Sequence, residues 1–315
     1  MKLKDIGEFG FIGRISRDIR PGSGVVAGIG DDAAVLASDK KGFYSLFTCD
    51  MYVEKVHFTK KDVTPYQLGW KAMAGNISDI AAMGGLPRHA VVSIGLTGDE
   101  DVRYCDEIYR GMRAAAKPFK VDIVGGDTVT SPEGIVISVA MTGVVEEKMC
   151  VYRSGARQGE AVLVTGSLGG SLLKKHCVFA PRVREARFIA GTGRVSAMMD
   201  VTDGLVADLE KICAASGVGA MLFEELIPVS PDARRMKGEK TPLESALSDG
   251  EDFELLCVVP REAVAGLLKA FNKKFSVPLT LIGGTTDAKG IRVYRTDGTV
   301  DEPRYKGYDH FKSGR

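Results

Sequence analysis

Two hydrophobic periods alternate along the chain almost from end to end. Val-, Ile- and Leu-rich runs of strand type, such as FYSLFT from Phe43, IVISVAMTGVV from Ile135 and AVLVTG from Ala161, are separated by segments with helical spacing. That alternation predicts an α/β (α+β) protein with substantial sheets, and neither a bundle nor a sandwich. The clearest helix begins at Thr64. Thr is its N-cap, Pro65 takes the first helical position, Leu68, Met73, Ile77 and Ile80 form a buried stripe, and Gly84-Gly85 with Pro87 stop it. Asp79 falls near its C-terminal end, where the macrodipole disfavours an anion, so another group should hold that charge. A second helix is expected from near Asp99, with Val102, Cys105, Ile108, Met112 and Ala115 turned to the core.

The strand VDIV (Val121–Val124) runs into Gly125-Gly126-Asp127-Thr128. Further on, VSAMMDV reads as a strand that turns at Thr202-Asp203-Gly204 into the helix LVADLEKICAAS. Ser248-Asp249-Gly250-Glu251-Asp252 reads as a tight acidic turn before the strand FELLCVV. A chain of 315 residues is long for one core and suits two lobes. The expected division is 1–148 and 149–315, with the boundary near Lys148. There is no internal repeat or low-complexity tract.

Charge and composition remove several classes. Lys+Arg number 42 against 41 Asp+Glu, a net charge of +1, so no overall field favours nucleic acid or an anionic membrane. The N-terminus lacks the pattern of a signal peptide and no run reaches the roughly 18 apolar residues of a membrane span, so a cytoplasmic protein is expected. Six cysteines (Cys49, Cys105, Cys150, Cys177, Cys213, Cys257) are scattered without a CxxC pair, and four histidines are too few to complete zinc sites with them. Any charge that matters is therefore local.

Carboxylates stand beside glycine or at element ends in Gly30-Asp31-Asp32, Thr48-Cys49-Asp50, Asp79, Gly126-Asp127, Asp200-Val201-Thr202-Asp203 and Glu251-Asp252. Singly, ordinary turn and capping chemistry explains each. Together they say more. Asp50, Asp127 and Asp200 each follow a strand-like run, and carboxylates at strand ends can converge on one cleft. A close pair repels by about 4 kcal/mol at an effective dielectric near 20, so the cluster needs cations. Magnesium fits: it takes oxygen ligands and is usually shared between one or two carboxylates and substrate phosphates. Thr48 and Thr202 can add oxygens. The P-loop pattern is absent, and the loose GxGxx[GA] matches from Gly22 and Gly28 are poor ones. The first lacks a strand before it, and the second puts Asp31 and Asp32 where a pyrophosphate would approach.

GIGDDAAVL (Gly28–Leu36), TCDMYVEKVHF (Thr48–Phe58), NISDIAAMGGLP (Asn76–Pro87), GGDT, RSGARQGE (Arg153–Glu160), VTGSLG, MDVTDGLVADL (Met199–Leu209), SDGEDFELL and GYDHF occur in that order over nearly the whole chain. The ordered set resembles thiamine-monophosphate kinase, in the superfamily that also holds aminoimidazole ribonucleotide synthetase and selenophosphate synthetase. The resemblance implies a two-lobed enzyme whose N-terminal mixed sheet pairs into a barrel at a homodimer interface. It implies ATP as co-substrate, several Mg2+ ions with room for K+, and direct in-line conversion of thiamine monophosphate to thiamine diphosphate. Neither nucleic acid nor membrane is implied as a partner.

Carried over by position, Asp32, Thr48, Cys49, Asp50, Asp79, Asp127, Asp200 and Asp203 resemble metal ligands, with Asp32, Asp50, Asp79, Asp127 and Asp203 as the catalytic set. Gly126, Asp127, Arg153 and Thr202 resemble nucleotide contacts, and His57, Glu251 and Tyr308 substrate contacts. Asp200 and Asp203 would come from the second lobe, across a cleft from the others. Two positions depart from the family: Cys49 stands where Thr is usual, and Thr202 where Ser is usual. A soft sulfur would serve magnesium poorly, so Cys49 suits the role only through its carbonyl. Other ATP-using enzymes of the superfamily and a non-catalytic nucleotide-binding protein are the alternatives. Against the first, no cysteine precedes Cys49, where resemblance to selenophosphate synthetase would ask for a reactive one, and the chain ends KSGR, without the terminal cysteine of the superfamily's hydrogenase-maturation member; against the second, the carboxylate set is intact.

Overall fold

In the computed structural model, which describes residues 1–305 and 307–311, the chain passes more than once between two separately packed units. The first unit starts with α1 (Leu3–Ser16) and β1 (Val25–Ala27). After Asp31 the chain builds the second unit, from β2 (Ala34–Ala37), β3 (Phe43–Val53), α2 (Pro65–Ala82), β4 (Leu86–Leu96), α3 (Val102–Ala116), β5 (Asp122–Thr130) and β6 (Val136–Glu146). Tyr152–Leu173 returns to the first unit with β7 (Ala161–Thr165), and Lys174–Gly193 gives α4 (Val183–Gly191) to the second. The rest completes the first unit: β8 (Ala197–Asp200), α5 (Leu205–Ser216), β9 (Gly219–Phe223), α6 (Pro231–Arg235), α7 (Pro242–Ser248), β10 (Leu255–Val259), α8 (Arg261–Lys274), β11 (Leu279–Thr286), β12 (Ile291–Tyr294) and β13 (Val300–Asp301). The α/β reading holds, with mixed sheets and helices throughout. Among the described residues no helix is long and apolar enough to cross a membrane.

Within the second unit the strands run in the order β2-β3-β6-β4-β5, with β5 at an edge. All neighbours are antiparallel except β4 and β5. Helix α2 starts where its caps say: the Gln67 N–H donates to Thr64 Oγ1 at 3.3 Å, and the Gln67 side chain accepts from the Thr64 N–H at 3.0 Å. It packs on one face of the sheet and on α3. In α3, Ile108, Met112 and Ala115 are buried as expected, but Val102 is 73% exposed, because the helix starts after an Asp101 cap and its first turn lies outside the core.

Two strands are longer than their sequence suggests. β5 continues through Gly125-Gly126-Asp127-Thr128, which pairs with Val91–Ile94 of β4. β3 pairs with β6 along its full eleven residues, so Asp50 is interior to it. Asp50 and Asp127 are thus not at strand ends; ladder hydrogen bonds outweigh the poor strand propensity of Gly and Asp. Asp200 does end its strand.

In the first unit, seven described strands run in the order β13-β12-β9-β11-β7-β10-β8. Val162, Val164, Met199, Leu256 and Val258 of the sheet pack with Leu205, Leu209 and Ile212 of α5 in one buried cluster. That packing fixes the turn between β8 and α5.

Candidate active site

The covered face of β3 carries the first group of residues. Two strand residues advance about 6.6–6.8 Å and four helical residues about 6 Å, so alternate positions of β3 stay in step with every fourth position of α2. Thr48, Asp50 and Tyr52 accordingly meet Asp79, Gly75 and Lys71. Thr48 Oγ1 donates to Asp79 Oδ2 at 2.6 Å, which answers the unfavourable place of that anion at the end of its helix. A Cβ on Gly75 would lie 2.2 Å from Tyr52 Oη and 3.2 Å from Asp50 Oδ2, so glycine is what lets β3 come this close. Tyr52 Oη donates to Asp50 Oδ2 at 3.4 Å. Lys71 Nζ lies 5.8 Å from the Tyr52 ring centroid and donates to the His57 carbonyl at 3.2 Å.

Asp32, just before β2, joins this row: it and Asp79 offer carboxylate oxygens within 4.8 Å of each other. At an effective dielectric near 20 such a pair repels by about 3–4 kcal/mol. The donors Asp32, Thr48, Asp50 and Asp79 are all oxygen, the chemistry of a hard divalent cation. His57 closes a tight turn in which Lys55 adopts the left-handed conformation (φ 68°). The Val53 N–H donates to His57 Nδ1 at 3.0 Å, so a neutral ring carries its proton on Nε2, a donor suited to a phosphate oxygen.

Cys49 and Asp127 are elsewhere. Cys49 points to the open face of β3, its Sγ 3.4 Å from Ser138 Oγ. The register Met51–Ser138–Ser93–Asp127 puts Asp127 on that same open face, three strands away. That is about 14 Å along the sheet. Asp127 Oδ1 accepts from the Thr128 N–H at 2.9 Å. Beside it, a Cβ on Gly126 would lie 1.8 Å from the Val92 carbonyl oxygen, a packing reason for that glycine. Within one copy of this unit, then, the structure gathers Asp32, Thr48, Asp50, Asp79 and His57, and leaves Cys49, Gly126 and Asp127 apart.

The first unit holds the second group. Asp200 is buried at the end of β8, opposite Leu255. After Val201, three consecutive residues donate backbone N–H groups to Asp208 Oδ2, Thr202 at 2.8 Å, Asp203 at 3.0 Å and Gly204 at 3.2 Å. Lys211 bridges Asp208 Oδ1 at 2.7 Å and Asp203 Oδ2 at 2.6 Å. Burial pushes the Asp208 carboxyl up to about 6, against the pull of Lys211. Burial alone would lower Lys211, but Asp208 and Asp203 beside it raise it. Sequence reasoning missed both residues, although Asp208 in the first turn of α5 and Lys211 one turn later are a legible helix-start pair.

Backbone bonds tie the other two candidates here to the same turn. The Glu251 N–H donates to the Thr202 carbonyl at 2.7 Å, with Glu251 itself at φ 63°, and the Tyr308 N–H donates to the Asp203 carbonyl at 3.1 Å. Asp200, Thr202, Asp203, Glu251 and Tyr308 are therefore one neighbourhood. Arg153 lies on the Gly30-Asp31 loop: its N–H donates to Asp31 Oδ1 at 2.6 Å and its Nη1 to the Gly30 carbonyl at 3.5 Å.

The chain matches the family model of AIR synthase related protein, N-terminal domain, over residues 30–145 and that of the C-terminal domain over residues 157–296. It is 38% identical to a thiamine-monophosphate kinase of Rhodopirellula baltica over 85% of each chain. It is 34% identical to one of Aquifex aeolicus over 99% of this chain and 100% of that one. Among solved structures, AaThiL complexed with AMPPCP and TMP superposes with a TM-score of 0.84 at 33% identity, covering 98% of this chain and 99% of the other.

Proposed function

The chain belongs to the thiamine-monophosphate kinase family, and from that premise we propose that it transfers the γ-phosphoryl group of ATP to thiamine monophosphate, giving thiamine diphosphate and ADP in the cytoplasm. A relative 33% identical holds AMPPCP and TMP together, which is the pair such a transfer needs. The observation in this chain that carries the reading is the oxygen row of Asp32, Thr48, Asp50 and Asp79, ending at the His57 turn.

Asp32, Thr48, Asp50, Asp79, Asp127, Asp200 and Asp203 would hold Mg2+. Bound there, the ions supply neutralisation of phosphate charge as the phosphoryl group moves. Cys49 fits this set only through its backbone, since its sulfur is turned to the other face. His57 orients the acceptor's phosphate through its Nε2–H; Glu251 and Tyr308 hold the thiamine portion, Tyr308 with an aromatic face that can stack on its rings. Arg153, Thr202 and Gly126 contact the nucleotide. No covalent nucleophile is required, because in-line phosphoryl transfer asks mainly for positioning and charge neutralisation.

The open face of the β2-β3-β6-β4-β5 sheet supports the homodimer. Phe47, Met51, Val91 and Val129 expose 45%, 56%, 41% and 54% of their surface there, and edge strand β5 flanks them, so a second copy would cover apolar surface and an unpaired edge at once. A dimer also gives Asp127 a use, since within one copy it stands apart from the β3 row.

The test is direct: purified protein with Mg2+, ATP and thiamine monophosphate forms thiamine diphosphate and ADP in equal amounts. ATP consumption without thiamine diphosphate would remove this acceptor, and nucleotide binding without turnover would make the chain a binding protein.

A further inference from the structure

We infer that Lys71 is a positioning residue for the acceptor's phosphate, acting through the His57 turn. Lys71 is fully buried, one turn before Gly75 and two before Asp79 on the face of α2 that meets β3. An apolar side chain of similar volume would fill that place without desolvating an ammonium, so packing alone does not account for a lysine. Its Nζ donates to the His57 carbonyl at 3.2 Å and sits 5.8 Å from the Tyr52 ring centroid; Tyr52 in turn contacts the His57 ring edge-on, with centroids 5.8 Å apart, and donates to Asp50.

The row on this face thus ends in a fixed positive charge. Asp79 with Thr48 and Asp50 with Tyr52 are followed, one step further along the strand, by the buried ammonium beneath His57. The charge holds the turn whose Nδ1 is already fixed by the Val53 N–H, and so aims the Nε2–H. It also favours an anion near that donor. A diphosphate-forming enzyme must bring two anionic groups together, and a buried cation behind the acceptor's binding residue lowers that repulsion without competing for solvent.

The inference rests on the kinase reading of His57, and the experiment separates the two. Wild-type protein is assayed first, and absence of thiamine diphosphate removes the reading and this inference together. Given wild-type turnover, Lys71→Met should raise KM for thiamine monophosphate about tenfold, the worth of one charge-assisted hydrogen bond, while KM for ATP stays within about twofold. Lys71→Arg, which keeps the charge, should recover most of the loss. In a His57→Ala background Lys71→Met should add no more than about twofold, because the two act as a unit.

An unchanged KM for thiamine monophosphate, an equal rise in both KM values, or fully multiplicative effects in the double variant would each overturn it. If Lys71→Met does not fold, Lys71→Gln carries the same expectation at smaller size, and an unchanged KM there is equally fatal.

Discussion

On the covered face of β3, Thr48, Asp50 and Tyr52 point at α2, whereas Phe47, Cys49 and Met51 point the other way, onto a face where Phe47 and Met51 are each about half exposed. Six neighbouring residues of one strand therefore serve two purposes. The covered face places oxygen donors against a helix, where a low effective dielectric makes each charge count for more. The open face presents apolar side chains that want a cover. A change confined to one face should disturb chemistry, and a change confined to the other should disturb association.

The strongest attempt to break that division is Asp79→Asn. The amide keeps the volume and can still accept from Thr48, but it removes a charge from the oxygen row, and turnover should fall by about a thousandfold while the melting temperature stays within a few degrees. Activity within tenfold of wild type would take Asp79 out of the metal site. Gly75→Val comes next. Its side chain would drive into Tyr52 Oη and Asp50 Oδ2, so stability should drop by about 1–3 kcal/mol, read by denaturant unfolding, and residual turnover should be down about a hundredfold as Asp50 is displaced.

The two faces also explain what was legible in advance. Helix α2 with its Thr64 cap, the turn into α5 and the long strand β6 were readable because local capping and period-2 or 3.6 patterns agree with the fold. The placement of Asp127 was not. Gly125-Gly126-Asp127-Thr128 has turn composition, and only pairing with β4, a partner some thirty residues away in sequence, makes it strand. Thr48-Cys49-Asp50 reads as one cluster at a strand end because an Asp after an apolar run suggests an end. Once β3 is known to continue to Val53, simple alternation separates Cys49 from its neighbours. The Asp208–Lys211 pair under Asp203 is illegible as support for the turn because, in sequence, an acid in the first turn of a helix and a lysine three residues on read as ordinary helix-start chemistry.

On the open face the expected effects are smaller and of another kind. Met51→Lys combined with Val129→Lys places charge where the second copy would pack, and should raise the dimer dissociation constant at least about tenfold by sedimentation equilibrium. Turnover at dilute protein should fall in proportion to the dimer lost and recover as protein concentration is raised. A variant that stays dimeric would take the open face out of the interface, and a monomer with full activity would separate association from catalysis and leave Asp127 without its use.

Cys49→Thr should do least. The sulfur sits 3.4 Å from Ser138 Oγ, and a threonine hydroxyl at that position can keep a polar contact with the same serine without reaching the covered face. If position 49 serves the metal through its carbonyl alone, the Mg2+ concentration for half-maximal activity should change by no more than about twofold. If the sulfur itself were a ligand, replacing a soft donor by a hard one would improve Mg2+ affinity by much more and abolish activation by Cd2+, which prefers thiolate. Titrating both metals against both proteins therefore decides between the two faces at the residue of β3 where family resemblance and strand geometry disagree: a large shift would mean that the open face also carries chemistry, and a small one that the division along β3 is complete.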